Sequence, residues 1–340
     1  YGGRASSVLD IRQREGNNKQ FKAEGGLGLL FSRLTLEGPI KKDKLSYLVS
    51  GRRSYFDLAF PFIKKLKGNK VYFYDLNTKL SWNINENNKL FASGYFGADA
   101  MKLKFEEENE DPNEPKETET IDFVWKNATA TLRWNHIFSD KLFMNVSGIY
   151  SQYNYALSSK NSGGSPSGTA SNFKWKSAVE NWILKPDFTF YQNAETKIRF
   201  GINSTLYRFT PAKVTGNEEG LNTVNFGKEK GLEVAPYFSY NRNWKKFSIN
   251  AGLRYSWFRN LGSYKVYFYD PNLPQTVATT TGSKQYKSGE LIKAYHGFEP
   301  RLAFKYDISN RKAIKLGYNR MFQYIHLISK RRKFLFRNYE

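Results

Sequence analysis

The sequence contains no cysteine, and only three of its 340 residues are histidines. Without cysteine the chain forms no disulfide, no zinc–thiolate site and no thiol nucleophile. This composition is compatible with an exported protein that depends on hydrogen bonding. The histidines, His136, His296 and His326, lie far apart in the sequence and lack the HxxxH spacing of a metal or catalytic site. We therefore expect them to be turn or loop residues.

Long apolar runs are also missing. No stretch of about 18 apolar residues exists, so the sequence predicts no transmembrane helix. A membrane-spanning strand needs only about ten residues of alternating character, which leaves the mean hydropathy low. The mean hydropathy is −0.64, and hydrophobic residues make up only 40% of the chain although aromatic residues reach 17%. A large antiparallel sheet that is apolar on one side, with long polar loops, explains this combination.

Acidic residues are scarce beside basic ones, 31 against 53, and the net charge is +22. A charge of this size suggests nucleic acid when basic residues cluster on helices or in runs. Here lysine and arginine alternate with apolar residues inside strand-like segments, or gather in turns such as Lys41, Lys42 and Lys44. We therefore predict a solvated or lumen-facing role for them and no nucleic-acid partner.

The clearest pattern is the segment Arg33 to Tyr55, RLTLEGPIKKDKLSYLVSGRRSY, which has the form of a β-hairpin. Gly38 and Pro39 favour a chain reversal between its two strands. In the second strand apolar and polar residues alternate with the period of two that separates the faces of a sheet, and only Leu48 departs from it. The pattern predicts an apolar face that carries Leu45, Tyr47 and Val49, and a wet face that carries Ser46, Ser50 and Arg52.

The same alternation recurs along the chain and predicts about thirteen strands of roughly ten residues. Connections within strand pairs are short and polar, whereas those between pairs are long. In an antiparallel meander, all short turns then lie at one end of the sheet and all long loops at the other. Outer-membrane barrels show this asymmetry. We therefore predict an all-β fold, an antiparallel transmembrane β-barrel. The long connections run over 106–119, 158–171, 211–230 and 260–295.

No catalytic or cofactor-binding motif emerges from the sequence. The acidic run Glu106, Glu107, Glu108, Glu110 and Asp111 lacks the spacing of a calcium loop and indicates a solvated loop. Gly25, Gly26 and Gly28 form GGLG, which fails the GxGxxG spacing of nucleotide sites and lies on strands. We find no nucleophile elbow and no outstanding carboxylate pair. The chain is predicted to be no enzyme and to need no cofactor.

Five residues are the candidate site residues because they fall on the polar side of their strands. If the apolar side meets lipid, the polar side lines the lumen of the barrel. There these side chains either pack against carboxylates of a segment enclosed by the barrel or contact an anionic substrate. They are Arg52, Arg133, Arg254, Arg301 and Asn319.

Several segments resemble the TonB-dependent outer-membrane receptors of Gram-negative bacteria. YGGRASSVLDIRQREGN followed by GGLGLLFSRLTLEGPIKKDKLSYLVSGRRSYFDL is similar to the junction of plug and barrel in that family. WKNATATLRWNHIFSDKLFMNVSGIYSQYNY, KIRFGINSTLYRFTP and FEPRLAFKYDISNRKAIKLGYNRMFQYIHLIS are similar to later barrel hairpins. The resemblance implies that residues 1–18 end the plug, that 19–329 form the N-terminal part of the barrel, and that 330–340 are an atypical tail from a truncation or frame shift.

The resemblance also implies a function. Such a receptor sits in the cell outer membrane, contacts its lipid, and imports a scarce nutrient with energy from a TonB-type complex. An iron chelate, a cobalamin, a glycan or a peptide is the candidate substrate, and a surface lipoprotein is a further candidate partner. The family barrel has 22 strands, so the chain is expected to be a fragment whose plug and TonB box lie upstream. A passive porin or structural barrel, a soluble β-rich binding or adhesion protein, and an outer-membrane enzyme are the alternatives.

Overall fold

One antiparallel sheet dominates the structure. The computed structural model describes residues 2, 11–107, 117–162, 171–216, 224–225, 228–274, 276 and 278–325. A short helix, α1 (Phe56–Ala59), and two 3-10 turns, Phe60–Phe62 and Lys64–Leu66, lie between the third and fourth strands. In the described part of the chain, no helix is long and apolar enough to cross a membrane.

The strands are β1 (Lys22–Leu27), β2 (Phe31–Lys41), β3 (Leu45–Ser54), β4 (Lys70–Asn85), β5 (Asn88–Glu107), β6 (Glu117–Ile137), β7 (Leu142–Ser162), β8 (Ser171–Tyr191), β9 (Thr196–Gly216), β10 (Val224–Asn225), β11 (Glu229–Asn243), β12 (Phe247–Leu261), β13 (Lys265–Tyr269), β14 (Thr280–Gln285), β15 (Leu291–Ser309) and β16 (Lys312–Asn319).

The main sheet has fourteen strands, of which thirteen follow one another in chain order and β10 pairs with β9 at the side. The order is β1 to β9, then β11, β12, β15 and β16, while β13 and β14 form a separate hairpin. All pairings are antiparallel. Among the described strands β1 and β16 do not pair, so the sheet stays open. The predicted partial antiparallel barrel of about thirteen strands is confirmed.

From β3 onward the connections alternate in length as predicted, whereas the β1–β2 and β2–β3 connections, residues 28–30 and 42–44, are both short. Short turns join β4 to β5, β6 to β7, β8 to β9, β11 to β12 and β15 to β16. Longer connections join β3 to β4, β5 to β6, β7 to β8, β9 to β11 and β12 to β15. The last of these contains the β13–β14 hairpin. From β3 onward the sheet therefore has a short-turn end and a long-loop end, and the short β1–β2 turn lies at the long-loop end.

The central strands are longer than the sequence pattern indicated. Each of β5 to β9 has 20 or 21 residues, about twice the predicted strand length. Pairing continues into polar sequence, for example between Lys104 and Thr120. The reason is that the ladder joins backbone groups, whatever side chains they carry. Apolar alternation marks only part of each strand.

The predicted Gly38-Pro39 reversal is wrong. Gly38 and Pro39 lie within β2, opposite Tyr47 and Ser46 of β3. The chain turns further on, where the Lys44 N–H donates to the Lys41 carbonyl at 3.0 Å and Asp43 has φ of +59°. Aspartate tolerates this left-handed conformation because its short side chain bonds locally. Proline is accommodated beside a register irregularity between Pro39 and Lys41.

Candidate functional site

The pairing register assigns strand residues to one of two faces. Residues opposite each other point to the same side, as do residues two apart along a strand. From Ser46 the register passes through Ser81 and Phe91 to Arg133. We call this side the polar face, and the opposite side, which carries Tyr47, the apolar face. Ser50 and Arg52 share the polar face with Ser46, so the alternation predicted for β3 is present in the structure.

All five sequence-predicted site residues lie on the polar face. Arg52 is opposite Asp75, Arg254 is opposite Glu299, and Arg301 is opposite Asn319. Arg133 is joined to the same face through Phe91. The structure therefore distributes the five over β3, β6, β12, β15 and β16, and it brings only Arg254, Arg301 and Asn319 close together in the sheet.

Arg52 and Arg133 have polar heads that remain accessible. Arg52 forms an ion pair with Asp75, whose carboxylate is buried, but 54% of the Arg52 side chain is exposed. Its guanidinium also lies 5.3 Å from the centre of the Phe73 ring. Arg133 is exposed, with its guanidinium 5.0 Å from the centre of the Phe91 ring. Both guanidinium groups are within the range of a cation–π contact with these rings.

Arg254 lies at the centre of a buried ionic network. Its Nη1 donates to both carboxylate oxygens of Glu299, at 2.8 and 3.0 Å, and its Nη2 donates to Glu233. The hydroxyl of Tyr207 donates to the other Glu233 oxygen at 2.9 Å. Arg301 reaches Glu299 at 3.5 Å. Because Glu299 is fully buried, these partners compensate charges that water cannot solvate.

Sequence reasoning missed the two carboxylates of this network. No carboxylate pair stands out in the sequence because Glu233 and Glu299 lie on β11 and β15, and the intervening β12 brings them together around Arg254. One feature of the sequence could have indicated these two glutamates. Each is a lone acidic residue on the polar face, set among apolar residues and shortly before a proline, in LEVAP and FEP.

The N-terminal segment lies across the polar face. The Lys79 ammonium donates to the Gln13 carbonyl at 2.7 Å, and Arg14 forms an ion pair with Glu37. A Cβ on Gly16 would lie 2.0 Å from the Tyr47 carbonyl oxygen, so the two backbones are in direct contact. Leu48, only 3% exposed, is in this region, which explains why an apolar residue interrupts the alternation of β3.

The same segment approaches the ionic network at its other end. A Cβ on Gly2 would lie 2.0 Å from Nη1 of Arg254. The ends of this segment are thus placed at β12 and at β3. The structure does not describe residues 3–10 between them.

The described residues after β16 also cover the polar face. The Tyr324 hydroxyl lies 2.7 Å from the Ser256 hydroxyl, and the Tyr324 ring stacks on Phe258 at 5.2 Å. Phe322 sits over Gly297, where a Cβ would be 2.3 Å from its ring. The main buried cluster consists of five aromatic residues and one isoleucine: Tyr207, Phe209, Phe258, Phe322, Tyr324 and Ile325.

Two of the histidines lie in strands, so their predicted placement in turns or loops is wrong. His136 is in β6, 2.8 Å from Asn88 Oδ1 through its Nδ1, and His296 is in β15 opposite Trp257. No group of three potential metal ligands occurs among the described residues. Of the acidic run, Glu106 is exposed and paired with Lys104. His326 and the residues Glu108, Glu110 and Asp111 lie outside the described residues.

Three solved structures share the fold over most of this chain. The copper transporter OprC has a TM-score of 0.54 at 10% identity, covering 88% of this chain and 44% of its own. The ferric yersiniabactin uptake receptor FyuA from Yersinia pestis has a TM-score of 0.53 at 13% identity, covering 88% and 46%. The Serratia marcescens hemophore receptor HasR, in complex with its hemophore HasA and heme, has a TM-score of 0.52 at 14% identity, covering 91% and 45%. No protein-family model matches the sequence, and no curated protein matches it.

At these identities the likeness defines the fold, an antiparallel transmembrane β-barrel, of which the structure shows part. More narrowly, the three neighbours are TonB-dependent receptors, and this chain has the fold of their barrel. The chain spans slightly less than half of the length of each of these three.

Proposed function

We propose that this chain is the end of the plug and the first part of the barrel of a TonB-dependent outer-membrane receptor that takes up a scarce nutrient. The observation that carries the proposal is the N-terminal segment lying on the polar face of a barrel-type sheet. Lys79 bonds to Gln13, Arg14 pairs with Glu37, and Gly2 adjoins Arg254. A passive porin has no need of a segment anchored across its lumen.

In this proposal the apolar face meets lipid and the polar face lines the lumen. Residues 1–18 belong to the plug, and 19–329 belong to the barrel. The plug blocks the lumen until a TonB-type complex, acting through a segment that precedes the plug end in the whole protein, rearranges it. Transport then needs no covalent chemistry, only breaking and remaking of the contacts between plug and barrel wall.

The candidate site residues divide between two roles. Arg254 and Arg301 are bonded to Glu299, which suits residues that hold the barrel wall and the plug end in place. Arg52 and Arg133 keep exposed cationic heads, which suits contact with an anionic substrate. Asn319 is exposed at the end of β16 and is assigned to the lumen only.

The substrate class is proposed from the same features. The named neighbours handle copper, ferric yersiniabactin and heme, so a metal complex is favoured over a glycan or a peptide. The exposed arginines favour an anionic complex, such as an iron chelate. A surface lipoprotein that assists capture is retained as a candidate partner.

Cell fractionation tests the location, and uptake tests the activity. The whole coding region, expressed in a Gram-negative host, should yield a protein that enters the outer-membrane fraction and needs detergent for extraction. A protein that partitions into buffer would overturn the membrane assignment.

Uptake of a radiolabelled ferric chelate should require both this protein and an intact TonB complex. Equal uptake without TonB would favour the passive porin.

The neighbouring coding sequence provides a further check. The proposal expects a plug upstream of Tyr1 and about nine more strands beyond residue 329, because the family barrel has about 22 strands. Translating all reading frames on both sides would show them. A start and stop bounding this chain would contradict the proposal.

A further inference from the structure

The apolar face of β9 and β11 carries most of its basic residues toward one end. On β11 its residues from Tyr240 back to Leu232 are apolar or aromatic, and the next position on that face is Lys230. On β9 the apolar series ends in the same way at Arg208. Both basic residues lie toward the long-loop end of the sheet. The short-turn half of these strands carries one basic residue on this face, Arg242, whose guanidinium is 4.6 Å from the Trp244 ring.

Six of the basic residues at this end form facing pairs across neighbouring strands, a feature that opposes folding. Like charges directly opposite each other destabilise a sheet, because opposed Cβ atoms are only about 5 Å apart. We call these six residues the basic belt. The register pairs Lys70 with Lys102, Lys176 with Lys213, and Arg208 with Lys230.

The basic belt is accessible and keeps a net positive charge. Lys70, Lys176, Lys213 and Arg208 are exposed, whereas Lys102 and Lys230 are half-buried. Two carboxylates lie opposite members of the belt on this face: Asp122 is opposite Lys102, and Glu180 is opposite Arg208. These two negative charges balance only two of the six positive ones. Lys126 and Lys174 lie on the same face nearby and are exposed as well.

The height of the belt matches the edge of a bilayer. Lys230 and Tyr240 are ten residues apart on β11, as are Arg208 and Ile198 on β9. At a rise of about 3.3 Å per residue and a tilt of about 40°, ten residues cover a height of about 25 Å. That is the usual height of the apolar band of an outer-membrane barrel. The belt therefore begins where hydrocarbon ends and polar headgroups start.

We propose that the basic belt binds the phosphate groups of anionic lipids in the leaflet on the long-loop side of the membrane. Phosphate oxygens placed between two facing cations convert their repulsion into two attractions. Charge complementarity and the position at the edge of the apolar band identify the occupant as lipid. This inference rests on the proposed function, because it requires the apolar face to meet a membrane.

The test uses the whole protein, purified in a mild zwitterionic detergent, with a bisphosphorylated lipid A as the probe. Phosphatidylcholine and inorganic phosphate serve as the other two arms. Native mass spectrometry measures lipid retention, and a thermal scan measures Tm. The variant is Lys176→Gln with Lys213→Gln. The control is Lys41→Gln with Lys42→Gln, at the end of β2 and the start of the β2–β3 turn, where both lysines are exposed at the opposite end of the sheet.

The proposal predicts a reversal of sign. Without lipid A the Lys176/Lys213 variant should melt at a higher temperature than the native protein, because a repulsion has been removed. With lipid A it should melt lower, and it should retain at least about tenfold less lipid A. The control variant should behave as the native protein in both conditions.

Three results would overturn the inference. The first is equal lipid A retention by both variants. The second is stabilisation by inorganic phosphate equal to that by lipid A at matched phosphate concentration. The third is retention of phosphatidylcholine equal to that of lipid A. If the protein is absent from the outer-membrane fraction, the proposed function fails and this inference fails with it. If the protein is present there but the belt variant binds lipid A normally, only the inference fails.

Discussion

At the scale of single residues, the polar face carries the energetically sensitive groups. Arg254 is bonded to two buried glutamates, and each carboxylate depends on that cation for compensation. Removing one partner from a buried pair is far more costly than the pair is favourable, because it leaves an uncompensated charge. Half-buried pairs that water still reaches on the same face, such as Lys305 with Asp307, contribute much less.

Replacing Glu299 with glutamine should therefore destabilise the protein strongly. The expected loss is about 3–5 kcal/mol in the free energy of unfolding, the usual cost of breaking a buried ion pair. Urea unfolding in detergent micelles measures it. Asp307→Asn is the matched control, and it should cost less than about 1 kcal/mol. Equal losses for the two variants would show that the Arg254 network is not a buried ionic centre.

Gly16 is the second sensitive residue, because its backbone touches the Tyr47 carbonyl. Gly16→Val should push the N-terminal segment off β3 and uncover Leu48. Since the chain has no cysteine, Leu48→Cys provides a single label site under that segment. Maleimide should react with this cysteine at least about tenfold faster in the Gly16→Val background, as expected for a buried thiol that becomes exposed.

Gly148→Val is the control, because a Cβ there meets no atom within 4 Å. It should leave the labelling rate of the Leu48→Cys protein unchanged. If Gly16→Val also leaves the rate unchanged, the contact between the segment and β3 is not what buries Leu48.

At the scale of elements, the long connection between β12 and β15 has its own folded hairpin. β13 and β14 pair with each other, and the return to β15 is closed by Glu290. Its carboxylate accepts the Lys287 N–H at 2.8 Å and forms an ion pair with Lys284 at 3.0 Å. Two hydrogen bonds hold the pKa of Glu290 below its usual value of 4.5. The bond from the Lys287 backbone N–H has the larger effect, and the bond from Lys284 has the smaller one.

This lowered pKa predicts acid-dependent opening of the loop. A carboxylate with a depressed folded-state pKa stabilises the closed loop above its unfolded pKa, and this contribution is lost as the pH falls through the folded pKa. The protection factor of the Lys287 amide, which compares its exchange rate with that of an unstructured peptide at the same pH, should therefore fall as the pH drops below about 4.5, the usual value for glutamate. In Glu290→Gln, whose side chain stays uncharged, the protection factor should not change over this range. A pH-independent protection factor in the native protein would contradict the assigned bond.

At the scale of the whole molecule, the main feature is that the first and last described strands of the sheet do not pair with each other. β1 and β16 each have one paired neighbour among the described strands, so their other edges present unpaired N–H and C=O groups. Hydrocarbon cannot satisfy such groups, and in water they promote aggregation. The chain has the fold of a receptor barrel but spans under half of the three neighbours compared with it.

We therefore expect this chain alone not to form a stable pore. Planar bilayers with the isolated chain should show no steady conductance, and unheated electrophoresis should show no compact, heat-modifiable band. The whole coding region should show the compact band if the missing strands close the sheet. A heat-modifiable band from the isolated chain would mean that its edges are satisfied in some other way, such as self-association.

Local chemistry was enough to predict the fold class. Alternation with a period of two, and short and long connections in turn, follow from the geometry of an antiparallel meander, so the strand number and the face of Arg52, Arg133, Arg254, Arg301 and Asn319 could be predicted. Contacts between segments distant in sequence could not. The pairing of Arg254 with Glu233 and Glu299, the burial of Leu48 and the position of the β2–β3 turn depend on register. Register is a property of neighbouring strands, because the same residue gains or loses a partner when one strand slides along another.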